Sequence, residues 1–167
     1  EDNSMLELIV LRMNCEKVNN DDQAILLRLV ETLDQVEKLY NEYEFNAVLQ
    51  TIYRFFWNDF CDWYIEASKA RVQEPASKDT CLAIQDICLR HILLLLHPVT
   101  PFLTEELWFL LGFANGNSIQ GVAPGTGAEL LEKLSIGGLQ LDTNVLNEME
   151  NVRELVTSMR SLKADRN

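Results

Sequence analysis

The stretch FNAVLQTIYRFFWNDFCDWYIEASKAR, residues 45–71, decides the fold of this chain. Its apolar residues recur at steps of three and four, which is typical of one face of an amphipathic α-helix. Tyr53, Trp57 and Tyr64 widen that face, so the predicted helix is apolar around much of its girth. We therefore expect it to lie at the centre of a helical bundle until Pro75 ends it.

Helices with the same periodicity are predicted on both sides of this stretch, at about residues 22–41, 78–97 and 142–167. Between the last two lies HPVTPFLTEELW, residues 97–108, where Pro98 stops one helix and Pro101 suits the first position of a short one. The sequence thus predicts an all-α fold: an antiparallel helical bundle of four long helices plus one short helix and a Gly-rich excursion.

Two segments are less regular than the predicted helices. Residues 1–20 form a poorly defined lead-in. Residues 113–141 hold six of the seven glycines in the chain, so we expect a loop excursion at the surface before Asp142 or Thr143 caps the last helix. Residues 1–167 are treated as a single domain.

Composition narrows the class of protein. The 167 residues are 47% apolar and 24% charged, which is ordinary for a globular protein. The four cysteines form no CxxC pair, so we expect reduced thiols and a cytoplasmic location. Neither a secretory signal nor a run of about 20 apolar residues is present, and no membrane partner is predicted. A net charge of −12 argues against nucleic acid as a ligand.

Residue patterns predict neither a catalytic site nor a metal site. His91 and His97 are the only histidines, and six residues apart they do not share a helix face. Asp59, Asp62 and Glu66 do share a face, but the Glu-x-x-His pairing of metal-binding bundles is missing. From the residues alone, the chain is a helical bundle that binds a partner.

The quoted segments also carry a family resemblance. Residues 45–71 followed by 97–108 resemble the anticodon-binding domain of class I aminoacyl-tRNA synthetases, and FFWNDFCDWYIE resembles the valyl type in particular. MNCE at 13–16 and VRELVTSMRSLKADRN at 152–167 fit the same pattern, so the resemblance covers nearly the whole chain. Gln23 and Ala24 depart from it, since the family usually has Arg-Trp there.

The resemblance implies a fragment of an ATP-dependent enzyme that attaches valine to tRNA. The family's ATP-site signatures HIGH and KMSKS are absent, so this piece carries no catalytic site, and ATP and magnesium would belong to the parent enzyme. Its implied partners are a valine-accepting tRNA and the missing catalytic and C-terminal domains of the same chain. Two alternatives stay open: an isoleucyl- or leucyl-type synthetase domain, and a helical protein-interaction module without tRNA binding.

Candidate nucleic-acid-binding residues come from the predicted topology. In an up-and-down bundle the first long helix starts where the second finishes and the third begins, and we expect the last helix to end there too. That end would gather a shared basic patch, made of Arg28, Lys69, Arg71, Lys78, Arg160, Lys163 and Arg166. At the corner between the first two long helices, Tyr43 and Phe45, with Arg28, are candidates for stacking an unpaired base.

Overall fold

The computed structural model describes residues 3–114 and 118–164. Over these ranges the chain is helical and has no β-strand, which confirms the all-α prediction. The helices are α1 (Asn3–Leu11), α2 (Asn20–Asn41), α3 (Phe45–Arg54), α4 (Glu66–Gln73), α5 (Pro75–Leu96), α6 (Pro101–Leu110), α7 (Gly127–Ile136) and α8 (Asn144–Ala164). A π-helical segment (Phe55–Ile65) joins α3 to α4, and a 3₁₀ turn (Cys15–Lys17) precedes α2.

The π-helical segment shifts the buried face of the long aromatic helix. A π-helix closes i→i+5 hydrogen bonds instead of i→i+4, so one turn contains an extra residue. The buried positions accordingly step by five from Phe55 to Phe60 before returning to steps of four. The expectation that Tyr53 and Trp57 widen the apolar face is wrong, because both lie on the solvent side, where their rings stack 6.5 Å apart. The interior positions of this helix are Val48, Ile52, Phe55, Phe60 and Tyr64.

The corner between α5 and α6 is fixed by side-chain hydrogen bonds. Nδ1 of His97 lies 2.8 Å from the Thr104 hydroxyl oxygen, which ties the end of α5 to the first turns of α6. Thr100 occupies the residue before α6, but its hydroxyl donates back to the Leu96 carbonyl rather than capping the new helix. The rigid corner expected from the two prolines is therefore held by a histidine and two threonines.

The expected loop excursion at 113–141 is wrong in part, because it contains α7. Thr126 and Glu129 form a capping box, in which each side chain accepts a hydrogen bond from the other residue's backbone N–H. Leu130 and Leu134 then point into the core. The glycine-rich composition concealed this T-x-x-E start signal.

The lead-in at 1–20 is also more ordered than predicted. Leu6, Ile9 and Val10 of α1 are buried against the bundle. At the end of α7, a Cβ added to Gly137 would lie 2.2 Å from Val10, so this close approach requires glycine.

One hydrophobic cluster joins side chains from α1, α2, α3, α5, α6 and α7. Arg71, near the end of α4, binds Asp22 at the start of α2, and α5 begins at Pro75 directly after α4, so the starts of α2 and α5 share one end of the bundle. We term this the closed end, and the end with the α2–α3 corner and α6 the open end. Among the described helices, none is both long enough and apolar enough to cross a bilayer.

Candidate nucleic-acid interface

The corner between α2 and α3 is built around a residue with a left-handed backbone. Tyr43 has φ of 60°, a region that residues other than glycine seldom occupy. The corner is closed by hydrogen bonds from the Glu44 N–H to the Leu39 carbonyl (2.9 Å) and from the Tyr43 N–H to the Tyr40 carbonyl (3.1 Å). This hydrogen-bonding pattern ends α2 abruptly and aims the Tyr43 side chain away from the core.

Three aromatic rings meet at this corner, and we refer to Tyr40, Tyr43 and Phe45 as the aromatic corner. The Phe45 ring makes edge contacts with Tyr40 (centroids 6.0 Å apart) and Tyr43 (6.3 Å). Tyr43 is 79% exposed and Phe45 is 56% exposed. Exposed rings held in fixed orientations are what base stacking requires, because every nucleobase offers a flat π-face.

A polar groove of about 250 Å³ lies between α2 and the α3 side of the bundle. Arg28 and Arg54 line it with Gln35 and Thr51, among other residues. Arg28 is already paired, with Glu31 at 3.0 Å and Glu150 of α8 at 2.7 Å. The groove therefore offers one exposed guanidinium, Arg54, and one held in place by two carboxylates.

Sequence reasoning missed two exposed cations on the helices that meet at this corner, Lys38 on α2 and Arg54 at the end of α3. Lys38 stands in the last turn of α2, is exposed, and lies 4.0 Å from Glu42. Residues seven apart fall on one helix stripe, so Arg28 and Gln35 share a line along α2 that leads toward the corner. Assigning each Lys and Arg to a helix face, instead of to one end of the bundle, would have identified Lys38 and Arg54.

At the closed end the predicted cation Arg71 is committed to an internal cluster. Its guanidinium donates to Oδ2 of Asp22 at 2.6 Å and to the Lys17 carbonyl at 2.7 Å. Tyr64 donates its hydroxyl to Oδ1 of Asp22 at 2.8 Å. Asn19 completes the cluster by forming a capping box with Asp22 at the start of α2. We term this group the Asp22 cluster.

The electrostatics of the Asp22 cluster oppose release of its arginine. Burial by itself would lower the pKa of Arg71, but the hydrogen bond to Asp22 and its negative charge raise that pKa overall. Burial, followed by the charge of Asp22, raises the pKa of the Tyr64 phenol far above its usual range. Asp22 itself has no exposed surface. The Arg71 guanidinium is thus engaged inside the protein rather than offered to phosphate.

The shared basic patch expected at the closed end is wrong as a grouping. The Asp142 N–H donates to Gln23 Oε1 at 3.1 Å, so α8 begins beside the first turn of α2 instead of ending there. Arg160 lies about 24 Å farther along α8, at 1.5 Å per residue. Lys69 and Lys78 are exposed near the closed end. The Lys163 side chain and Arg166 lie outside the described residues.

Both histidines form hydrogen bonds within the fold. The ring of His91 is buried, and its Nδ1 lies 2.7 Å from the Ile87 carbonyl, to which it donates as N–H in the neutral form. Burial lowers the pKa of His91 to about 4. His97 is tied to Thr104 at the α5–α6 corner. Within 3–114 and 118–164, no group of three or more His, Cys, Asp or Glu side chains is placed to hold a metal ion.

Comparison with known proteins places these features in a family. Residues 22–167 match the family model described as the anticodon-binding domain of tRNA ligase. The chain is 40% identical over 141 residues to a valine–tRNA ligase of Thermotoga maritima, and these residues make up 83% of this chain and 16% of that protein. It is 34% identical over 139 residues to the valine–tRNA ligase of Enterococcus faecalis, covering 82% and 16%.

A third relative, with lower sequence identity, is also named a valine–tRNA ligase. The chain is 32% identical over 158 residues to a valine–tRNA ligase of Aquifex aeolicus, covering 87% of this chain and 13% of that protein. The chain thus spans about a sixth, or less, of the length of these curated relatives.

Proposed function

The chain belongs to the anticodon-binding domain family of tRNA ligases, and from this premise we propose that it binds the anticodon arm of a valine-accepting tRNA. It does so as one domain of a valine–tRNA ligase. The proposed contact is the aromatic corner at the open end, with Lys38 and Arg54 as nearby phosphate contacts. Valine specificity is favoured because the relatives described above are all named valine–tRNA ligases.

The observation that carries this proposal is the exposure of Tyr43 and Phe45. Large aromatic side chains normally bury most of their surface, because each contributes a large hydrophobic stabilisation when buried. Here two rings remain in solvent at a corner that keeps Tyr43 in a strained backbone conformation. Backbone strain that persists tends to mark a functional position. Unpaired anticodon bases supply the flat partners that these rings lack.

The charge of the domain sets an expectation for affinity. Phosphate contacts dominate most protein–nucleic acid affinities, and a net charge of −12 opposes them. Of the predicted contacts, Arg28 is held by two glutamates and Arg71 by Asp22. Lys69, Lys78, Arg160, Lys163 and Arg166 stay predicted contacts. We therefore expect the domain alone to bind tRNA weakly and the rest of the enzyme to supply most phosphate contacts.

The activity of the parent enzyme is part of the proposal. Ligation of valine to tRNA would use ATP and magnesium in a catalytic region that lies outside this chain. The catalytic and C-terminal regions of the same polypeptide are then its permanent partners. Because protein synthesis is the process served, we place the parent enzyme in the cytoplasm.

The proposal is tested by titrating the chain with tRNA that carries a valine anticodon, at low salt, and repeating the titration after replacing the anticodon bases. The proposal predicts that replacement weakens binding. An isoleucine anticodon in the same tRNA serves as the matched comparison, and tighter binding of that tRNA would favour the isoleucyl-type alternative. Binding that is unaffected by any anticodon change would favour the protein-interaction module.

A further inference from the structure

The long aromatic helix carries a row of large apolar side chains in solvent. Phe45, Leu49, Tyr53 and Trp57 are all exposed, and they follow one another at steps of four residues. Residues four apart are neighbours on the surface of a helix. We refer to these four residues as the aromatic stripe. Large apolar side chains stabilise a fold most when they are buried, so an exposed row of them points to a ligand.

Two rings of the aromatic stripe are already aligned with each other. The Tyr53 and Trp57 rings have their centroids 6.5 Å apart and their planes within 10° of parallel. Tyr53 is 64% exposed and Trp57 is 49% exposed. Exposed rings of fixed orientation suit the flat face of a nucleobase. The stripe begins at Phe45 of the aromatic corner and reaches Trp57 about 18 Å farther along the helix, at 1.5 Å per residue.

The charge along this segment selects the kind of ligand. Residues 45–58 contain no Asp or Glu and one cation, Arg54, in a chain whose net charge is −12. The Arg54 side chain is exposed, and it lines the apolar groove that also contains Tyr53 as well as the polar groove. Carboxylates repel nucleic acid, and none lies in this stretch of sequence. An arginine beside exposed rings is the combination that binds single-stranded nucleic acid.

We propose that Tyr53 and Trp57 stack on unpaired bases of the tRNA anticodon loop that lie beside the three anticodon bases, an inference that rests on the proposed function. The aromatic corner takes the anticodon, the far end of the stripe takes the neighbouring bases, and Arg54 binds a phosphate next to them. Stacking accepts every base, because each has a flat π-face. This second contact therefore adds affinity without adding specificity.

The test is a titration of this chain, at low salt, with an anticodon stem-loop RNA that carries a valine anticodon. Trp57→Leu removes the flat ring and keeps an apolar side chain at an exposed position, and circular dichroism checks that the variant is folded. We expect its affinity to fall at least about five-fold, the lower end of what one stacked base contributes. The matched control is Phe109→Leu, which removes an exposed ring of α6 outside the stripe and should leave the affinity unchanged.

Tryptophan fluorescence gives a second readout that a merely structural role would not change. Trp57 is the exposed member of the three tryptophans, since Trp108 is buried and Trp63 is covered by the Arg153 guanidinium at 5.0 Å. A base stacked on Trp57 quenches its emission. The native chain should therefore lose fluorescence when the RNA is added, and the Trp57→Leu chain should lose much less.

Repeating both titrations with the anticodon bases replaced separates this inference from the proposed function. We expect Trp57→Leu to weaken binding of the two RNAs by the same factor. Unchanged affinity, an equal loss in Phe109→Leu, or a loss confined to the valine anticodon would each overturn the inference. The proposed function fails on a different result, namely equal binding of the two RNAs by the native chain. A native chain that binds neither RNA overturns both.

Discussion

The two ends of the bundle use their polar and aromatic residues in opposite ways. At the closed end, Tyr64 and Arg71 both point inward and bind the buried Asp22. At the open end, the side chains of Tyr43 and Phe45 point outward into solvent, and neither binds a polar side chain of the described residues. Polar and aromatic side chains therefore stabilise the fold at one end and lie exposed, on the proposed tRNA-binding surface, at the other.

The fold shows why counting cations does not identify the charges that are available to a ligand. Arg71 appears basic in the sequence, yet its charge is neutralised inside the Asp22 cluster. Arg28 is likewise neutralised by Glu31 and Glu150. Position in a folded network, rather than residue type, decides whether a charge is available to a ligand.

The most destructive change should be Asp22→Ala at the closed end. It removes the acceptor of both Tyr64 and Arg71 and also breaks the capping box with Asn19. Deleting one partner of a buried ion pair is strongly destabilising, and we expect a loss of about 3 kcal/mol in the free energy of unfolding. Urea-induced unfolding followed by circular dichroism measures it.

The control for that change is Asp62→Ala. Asp62 is an exposed carboxylate of the π-helical segment, so its removal should change stability by less than about 0.5 kcal/mol. Similar losses in the free energy of unfolding for the two variants would mean that the Asp22 cluster does not stabilise the closed end.

A second prediction concerns pH and the buried histidine of α5. His91 has a pKa of about 4 in the folded state and 6.5 as its ordinary value. Between these values the unfolded state binds the proton more readily, so stability falls as pH drops below 6.5. We expect protonation of His91 in the unfolded state to lower the unfolding free energy by about 2 kcal/mol at pH 5. The unfolding free energy of the native chain is measured at pH 7 and pH 5.

The matched variant for the pH experiment is His91→Asn. The asparagine amide can still donate to the Ile87 carbonyl, as the His91 ring does, but it does not titrate. The variant should therefore lose less stability between pH 7 and pH 5 than the native chain. Equal losses would mean that carboxylates, not His91, control the acid sensitivity.

The smallest expected effect is at the strained residue of the open end. Glycine accepts a φ of 60° without steric cost, so Tyr43→Gly should raise the unfolding free energy by about 0.5 kcal/mol after the entropy of glycine in the unfolded chain is counted. Tyr43→Val should lower it, because a β-branched residue fits this region poorly. If glycine destabilises as much as valine, the backbone at the corner is not strained.

Much of the fold could be predicted because periodicity and proline positions act locally. Pro75, Pro98 and Pro101 each mark a real helix boundary in the structure. The π-helical segment could not be predicted from spacing, because its extra residue depends on how Phe55 and Phe60 pack against neighbouring helices. That single shift places Phe60, rather than Asp59, on the buried face.

The candidate site was harder to predict than the fold. Tyr43 and Phe45 were identified from their place beside a helix corner, a local signal. The basic patch depended on where α8 ends, which is set by long-range contacts such as Arg28 with Glu150 and Arg153 with Asp59. The apolar pattern of a helix does not specify its direction.

We propose that the open end of the bundle, not the closed end, binds tRNA. Two double variants test this at one low salt concentration. One combines Tyr43→Ala with Phe45→Ala, the other combines Lys69→Ala with Lys78→Ala, and the tRNA affinity of each is measured. Stacking is worth about 1–3 kcal/mol per base, so we predict that the aromatic pair loses at least about ten-fold in affinity and the lysine pair loses less. A larger loss for the lysine pair, with the affinity of the aromatic pair unchanged, would mean that tRNA binds at the closed end instead.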